Sequence, residues 1–296
     1  MTRPTNWSTC RMSAPETYNT WLQTLHQQLT AQGLDPDGAE YVLTTRQGWT
    51  NTDLLLHLRT VIPADLQQQL VSDAKRLLAA EPAQYIVGQA WFYGLPLQVA
   101  PGVLIPRPET EELVAWLLAS LPADRPVSVL DIGTGSGAIA IAVAHERPRW
   151  SVTATDISPR ALEVAAANAQ RLVPGRIRFI QGDLFRPVAQ DRFTAIISNP
   201  PYIAWGEAAV MDQSVKQYEP STALFAPDNG HALYAQLIDQ APDHLAAGGQ
   251  LFLEHGYHQR PALAALLARQ PGLVPEFRAD MAGHPRMVRA VYRPQV

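Results

Sequence analysis

Apolar residues recur at two different spacings along this 296-residue chain, and the change of spacing divides it. The first part is helical in period. Trp21, Leu22, Leu25 and Leu29 share one helix face, with SAPE at 13–16 as an opening capping box and Gly33 as the stop. Further short helices are expected at 36–47, 52–59 and 63–80, the last with a stripe of Leu66, Leu70, Ala74, Leu77 and Leu78. Residues 13–81 therefore read as a small helical bundle, and residues 1–12 as a disordered lead. After Glu81-Pro82 the texture becomes aromatic and β-prone around a turn, AWFYGLPLQVA, which predicts a hairpin at 90–99 inside a connector over 82–109. From Val127 on, strands at 127–132, 151–156, 176–181, 193–198 and 248–255 alternate with helices starting at 137, 159 and 231. That alternation predicts an α/β fold, a mostly parallel sheet with helices on both faces, over 110–296. Two more strands, 273–277 and 287–292, complete it.

Composition narrows the class. A chain 47% hydrophobic and 17% charged can build a soluble core, and a formal net charge of -4 argues against a protein that grips nucleic acid through its phosphates. A single cysteine, Cys10, excludes a disulfide framework, and the eight histidines show no metal spacing. No apolar run reaches membrane-spanning length. A reducing, cytoplasmic setting without membrane association is expected.

The chemistry gathers at strand ends. DIGTGSG, with Gly133, Thr134, Gly135, Ser136 and Gly137, lies where the first parallel strand meets a helix, and its glycines let backbone approach a ligand at the carboxyl edge of the sheet. The plainer alternative is a tight strand-to-helix turn. Asp156 ends the second strand, where a carboxylate can accept hydrogen bonds from ribose hydroxyls, and Asp183 follows the third. Either aspartate alone is an ordinary cap or turn residue; together with the glycine turn they describe a nucleoside cofactor pocket. ISNPPY at 197–202 ends the fourth strand beside it. Pro200 and Pro201 lack N–H groups and fix the backbone, so the Asn199 side chain and the Pro200 carbonyl become rigid acceptors able to grip one NH2 group. Tyr202 is expected to lie against a flat π-system and to cover the acceptor pair.

DIGTGSG, Asp156 and NPPY together resemble the class I S-adenosylmethionine-dependent methyltransferases that alkylate planar NH2 nitrogens. PAQYIVG at 82–88, FYG at 92–94, LIPRPETEELV at 104–114, QYEPSTAL at 217–224, LEHGYHQ at 253–259 and DMAGHPR at 280–286 resemble the branch acting on glutamine, the protein-(glutamine) methyltransferases of peptide-chain release factors. The resemblance implies a seven-stranded methyltransferase sheet, a helical substrate-binding region before it, and methylation of the glutamine in the Gly-Gly-Gln motif of class 1 release factors. It implies that Gly133 to Gly137 and Asp156 bind S-adenosylmethionine and that Asn199 binds both cofactor and target amide. The position after Asp183, tryptophan and near the adenine in some members, is Leu184 here.

An amide nitrogen is a poor nucleophile, so the expected mechanism is acceptance of its N–H groups by Asn199 and Pro200 while fixed geometry aims it at the methyl carbon. Two other targets fit the motif. One is a glutamine of a large-subunit ribosomal protein; the other is the exocyclic amine of adenine, which the acidic charge and the lack of a basic reading domain disfavour. A non-catalytic cofactor-binding module is the third class. His255 and His258 read as loop histidines or as a ligand pair, Arg107 and Thr110 as residues that order the pocket or as part of a helix start, and Glu219 as a residue that shapes the substrate channel or, by default, as an exposed carboxylate before a turn.

Overall fold

The computed structural model describes residues 16–294, and the chain divides after Val87 into two compact units. The first unit holds five helices: α1 (Tyr18–Ala31), α2 (Asp37–Gln47), α3 (Asn51–His57), α4 (Ala64–Leu78) and α5 (Ala83–Val87). The expected lead and the capping Ser13 lie outside the described residues. Glu16, expected inside the first turn, instead lies outside the helix, and its carbonyl accepts the Ile62 N–H at 2.9 Å. The helix starts at Tyr18, where the buried face starts, and Thr17 and Thr20 form the capping box. Trp21, Leu25, Leu29, Val42, Leu43 and Leu70 fill the core between the helices. Within it Asp73 is 0% exposed, and the Arg46 guanidinium meets its two oxygens at 3.0 and 3.1 Å. Such a planar fork matches a carboxylate in both geometry and charge. Helix α5 falls inside the stretch read as the start of the connector. Pro82 reads as a break, yet a proline just before a helix loses no intrahelical bond, and its carbonyl accepts the Tyr85 N–H.

The second unit opens with the hairpin β1 (Gln89–Phe92) and β2 (Leu95–Gln98), turned by Tyr93 and Gly94, both at positive φ. Its main sheet has seven strands: β3 (Ser128–Ile132), β4 (Ser151–Asp156), β5 (Ile177–Gln181), β6 (Phe193–Ser198), β7 (Leu245–Glu254), β8 (Leu273–Ala279) and β9 (Pro285–Tyr292). They lie in the order β5-β4-β3-β6-β7-β9-β8, parallel from β5 to β7, with β9 antiparallel to both neighbours. Side chains alternate across a strand, so Val129 faces one core cluster and Leu130 and Ile132 the other. Helices α6 (Pro108–Ser120), α7 (Ala138–Glu146) and α8 (Pro159–Leu172) cover the first face. Short helices α9 (Gln213–Tyr218) and α10 (Ser221–Leu224) follow β6, and α11 (Ala232–His244) and α12 (Arg260–Leu267) cover the second face. Among the described residues no helix is long and apolar enough to cross a membrane.

Candidate active site

From β3 the chain crosses to β4 on one side, while β6 pairs with β3 on the other. Ligands of open α/β sheets bind in the crevice at such a reversal, beyond the carboxyl ends of the strands. Ile132 and Ser198 are register partners, so Gly133 and Asn199 leave the sheet side by side. A cavity of ≈ 370 Å³ opens there, lined by Gly133, Gly135, Asp156, Asp183, Leu184, Asn199, Pro200 and Pro201. Gly102 to Leu104 and Thr222, Ala223 and Phe225 supply further walls that sequence reasoning did not assign to the site.

The five residues of the glycine turn divide their work. At Gly133 and Gly135, with φ of +73° and +56°, nothing lies within 4 Å of the place a Cβ would occupy, so bare backbone faces the cavity. Thr134, Ser136 and Gly137 point into the protein. The Thr134 hydroxyl donates to Asp131 Oδ2 at 2.6 Å, and the Ser136 carbonyl accepts from Asn168 Nδ2 at 3.0 Å. A Cβ on Gly137 would sit 2.9 Å from Ile141 and 3.1 Å from Ala165, so glycine is what lets α7 and α8 approach. Asn168 also bonds both the N–H and the carbonyl of Gln98, joining the hairpin to the turn. Asp131 is wholly buried, which pushes its pKa up to about 7 against the hydrogen bonds from Thr134 and Ala140.

Asp156 holds the turn from the next strand. Its Oδ2 accepts the Gly135 N–H at 2.9 Å and its Oδ1 the Ser158 N–H at 2.8 Å. Burial raises its pKa, and lone pairs on both oxygens remain for hydroxyl donors. Asp183 lies two residues past β5, and Leu184 adopts φ +48°, a left-handed conformation uncommon for a side-chain-bearing residue. That conformation sets an apolar side chain on the cavity wall.

Beyond β6 the polar groups form a chain. Asn199 Nδ2 donates to Thr110 Oγ1 at 3.0 Å, and Thr110 Oγ1 donates to Glu254 Oε2 at 2.5 Å. Glu254 is 1% exposed, and burial pushes its pKa up to about 7. Tyr202 is not among the lining residues; its ring packs against the second core cluster and its hydroxyl reaches Glu254 Oε1 at 3.4 Å. Burial and the adjacent Glu254 charge push that hydroxyl's pKa up. Glu254 was not singled out, although it closes the apolar run LFLE and lies in the LEHGYHQ segment.

Thr110 is thus drawn into the pocket's bonding. The reading of Glu219 as exposed is corrected: it is 6% exposed, ion-paired to Arg107 Nη2 at 2.6 Å, and accepts the Ile105 N–H at 3.2 Å. A buried carboxylate needs such partners, and the pair ties together the two wall segments. His255 is buried with Nδ1 against the Gly256 carbonyl, and burial lowers its pKa. His258 packs on Tyr257, 3.8 Å between ring centroids.

Fold and site define a methyltransferase. A family model described as the methyltransferase small domain matches residues 110–218, and one described as the PrmC N-terminal domain matches 20–88. A solved methyltransferase from Pyrococcus furiosus shares the fold, with a TM-score of 0.52 at 19% identity over 78% of this chain and 99% of that one. The release factor glutamine methyltransferase of Enterococcus faecalis is 46% identical over 88% of this chain and 94% of its own length. That of Lactococcus lactis is 42% identical over 90% and 98%, and that of Escherichia coli 40% over 83% and 88%. This chain belongs to the release factor glutamine methyltransferase family.

Proposed function

We propose that the chain transfers a methyl group from S-adenosylmethionine to the side-chain amide nitrogen of the Gly-Gly-Gln glutamine of class 1 peptide-chain release factors. The observation that carries the reading is the placement of Asn199 and Pro200 on one cavity with the open backbone of Gly133 and Gly135 and the Asp156 carboxylate. That donor set fits the cofactor. Gly133 and Gly135 give it close backbone approach, Asp156 accepts from its ribose hydroxyls, and Leu184 with Asp183 borders its adenine. Thr134, Ser136 and Gly137 serve it indirectly, by shaping the turn. Bound there, it supplies an electrophilic methyl carbon.

The chain's own residues prepare the nucleophile. With its nitrogen engaged by Thr110, Asn199 has Oδ1 free to accept one N–H of the target amide, and the Pro200 carbonyl accepts the other. Both acceptors favour the positive charge that grows on nitrogen at the transition state, and neither must reorganise as it forms. Pro201 stiffens the segment, and Tyr202 braces it from the core side. The helical first unit supplies recognition surface, because a tripeptide offers too little for specificity.

The test is labelled methyl transfer to purified release factor, ribosomal subunits and DNA. Label should enter the release factor and vanish when its Gly-Gly-Gln glutamine is replaced. Asn199→Ala should bind cofactor normally and transfer methyl roughly 100 to 1000 times more slowly. Label in ribosomal protein or DNA alone would reassign the substrate, and undiminished turnover would remove Asn199 from the reaction.

A further inference from the structure

Glu254 closes β7 at the carboxyl edge of the sheet and takes no direct part in the transfer proposed above. Its polar and charged neighbours come from several elements. Thr110 from α6 bonds Oε2 at 2.5 Å, Tyr202 bonds Oε1 at 3.4 Å, and Tyr234 of α11 donates to its backbone carbonyl at 3.0 Å. Arg286 of β9 favours its charge and Glu109 of α6 opposes it. Thr110 has one hydroxyl proton. Once that proton is given to an ionised Glu254, Thr110 Oγ1 can only accept from Asn199, and the head of the carboxamide that can donate is Nδ2. The opposite head, Oδ1, is then left for the cavity.

We infer that Glu254 and Thr110 are positioning residues, which fix the Asn199 carboxamide with its oxygen toward the cavity and so make it an acceptor of substrate N–H. This rests on the role given to Asn199 above. A neutral partner at 254 carries a donor as well as an acceptor, so it no longer forces the order of donors. A protonated Glu254 can donate to Thr110, Thr110 can then donate to Asn199 Oδ1, and the flipped carboxamide presents NH2 to the NH2 of the substrate. Two donors facing each other form no bond.

Glu254→Gln tests this with almost no change of volume. Its kcat should fall about 10- to 100-fold, part or all of the effect of losing one aligned hydrogen bond. Cofactor affinity should hold within about twofold, and the melting temperature at pH 8 should not drop, because a buried charge has been removed. Wild-type kcat should decline as pH falls through about 7, where Glu254 takes up its proton, and the variant should lack that limb. Thr110→Ser, which keeps the hydroxyl, should retain activity, and Thr110→Val should lose it. Unchanged kcat in Glu254→Gln overturns the inference, as does a loss matched by falls in melting temperature and cofactor affinity. The Asn199 side-chain 15N–1H pair, assigned by its disappearance in Asn199→Asp, gives a readout without substrate. It should shift between wild type and Glu254→Gln even if release factor proves not to be the substrate, and no shift overturns the inference whatever the substrate is.

Discussion

Gly230, between α10 and α11, sits at φ +82° directly behind the NPPY segment. A Cβ there would lie 2.0 Å from the Tyr202 carbonyl oxygen and 2.7 Å from Gln259 Nε2, which donates to that same carbonyl at 2.7 Å. Since carbon does not come nearer than about 3 Å to such an oxygen, Gly230→Ala forces about 1 Å of displacement between residue 230 and the end of NPPY. The left-handed backbone adds about 1–2 kcal/mol of strain. Gly248→Ala isolates that second effect, because its φ is +76° and nothing lies within 4 Å of its would-be Cβ. A misplacement of about 1 Å costs on the order of 100-fold in rate. Single-turnover methyl transfer with both variants, alongside cofactor titration and denaturant melts, should show about a 100-fold loss in Gly230→Ala, with cofactor affinity within about threefold of wild type. Gly248→Ala should react at the wild-type rate. Equal rates in the two variants would show that a displacement at the Tyr202 carbonyl does not reach the acceptor pair, against the bracing role given to Tyr202.

Asp156→Ala removes the acceptor of the Gly135 N–H and of the ribose hydroxyls, and should weaken cofactor binding by about 10- to 100-fold in calorimetric titration, about two hydrogen bonds' worth. Asp131 keeps its proton in the folded chain up to about pH 7, whereas the unfolded group releases it near its ordinary value of 3.8, so the folded state binds the extra proton between them. The stability it contributes is therefore complete below that lower value and lost as pH rises through about 7. Denaturant midpoints of wild type relative to Asp131→Asn should fall from pH 4 to pH 8, and a relative rise would contradict the assigned burial. Arg46→Leu leaves the Asp73 carboxylate in the first unit's core with Gln69 Nε2, at 2.9 Å, but without its cation, and should destabilise the chain by about 2–3 kcal/mol in urea, discounted from the fully buried, unpaired case because Gln69 stays and Arg46 is 28% exposed. A change below about 0.5 kcal/mol would show that the fork adds nothing net.

Local pattern carried most of the fold into view. Strands buried on both faces, such as FTAIIS, read as apolar runs, and glycine, aspartate and proline at their ends named the cavity before any geometry was known. What pattern could not carry was pairing across long separations. Thr110 and Glu254 are 144 residues apart, and neither has a neighbour in sequence that announces the other. Glu219 looked exposed because YEP is a turn sequence, whereas its burial comes from Arg107 and Ile105, more than 100 residues upstream. The start of α1 went to the wrong capping box because SAPE and TYNT both satisfy local capping rules; the buried Tyr18 and Trp21 faces decide between them.

The order β7-β9-β8 has a consequence for the chain as it is made. β9 leaves the ribosome after β7 and β8, yet it is the strand that joins them. Until it arrives, β8 has no partner in the sheet and β7 presents an open, apolar edge, LFLE, of the kind that pairs with another nascent chain. Glu254 and Arg286 also meet only at that step. A chaperone that shields the edge of β7 during synthesis would raise the yield of folded enzyme, and the last insertion would complete the sheet and bring the Arg286 charge to Glu254 at the same moment.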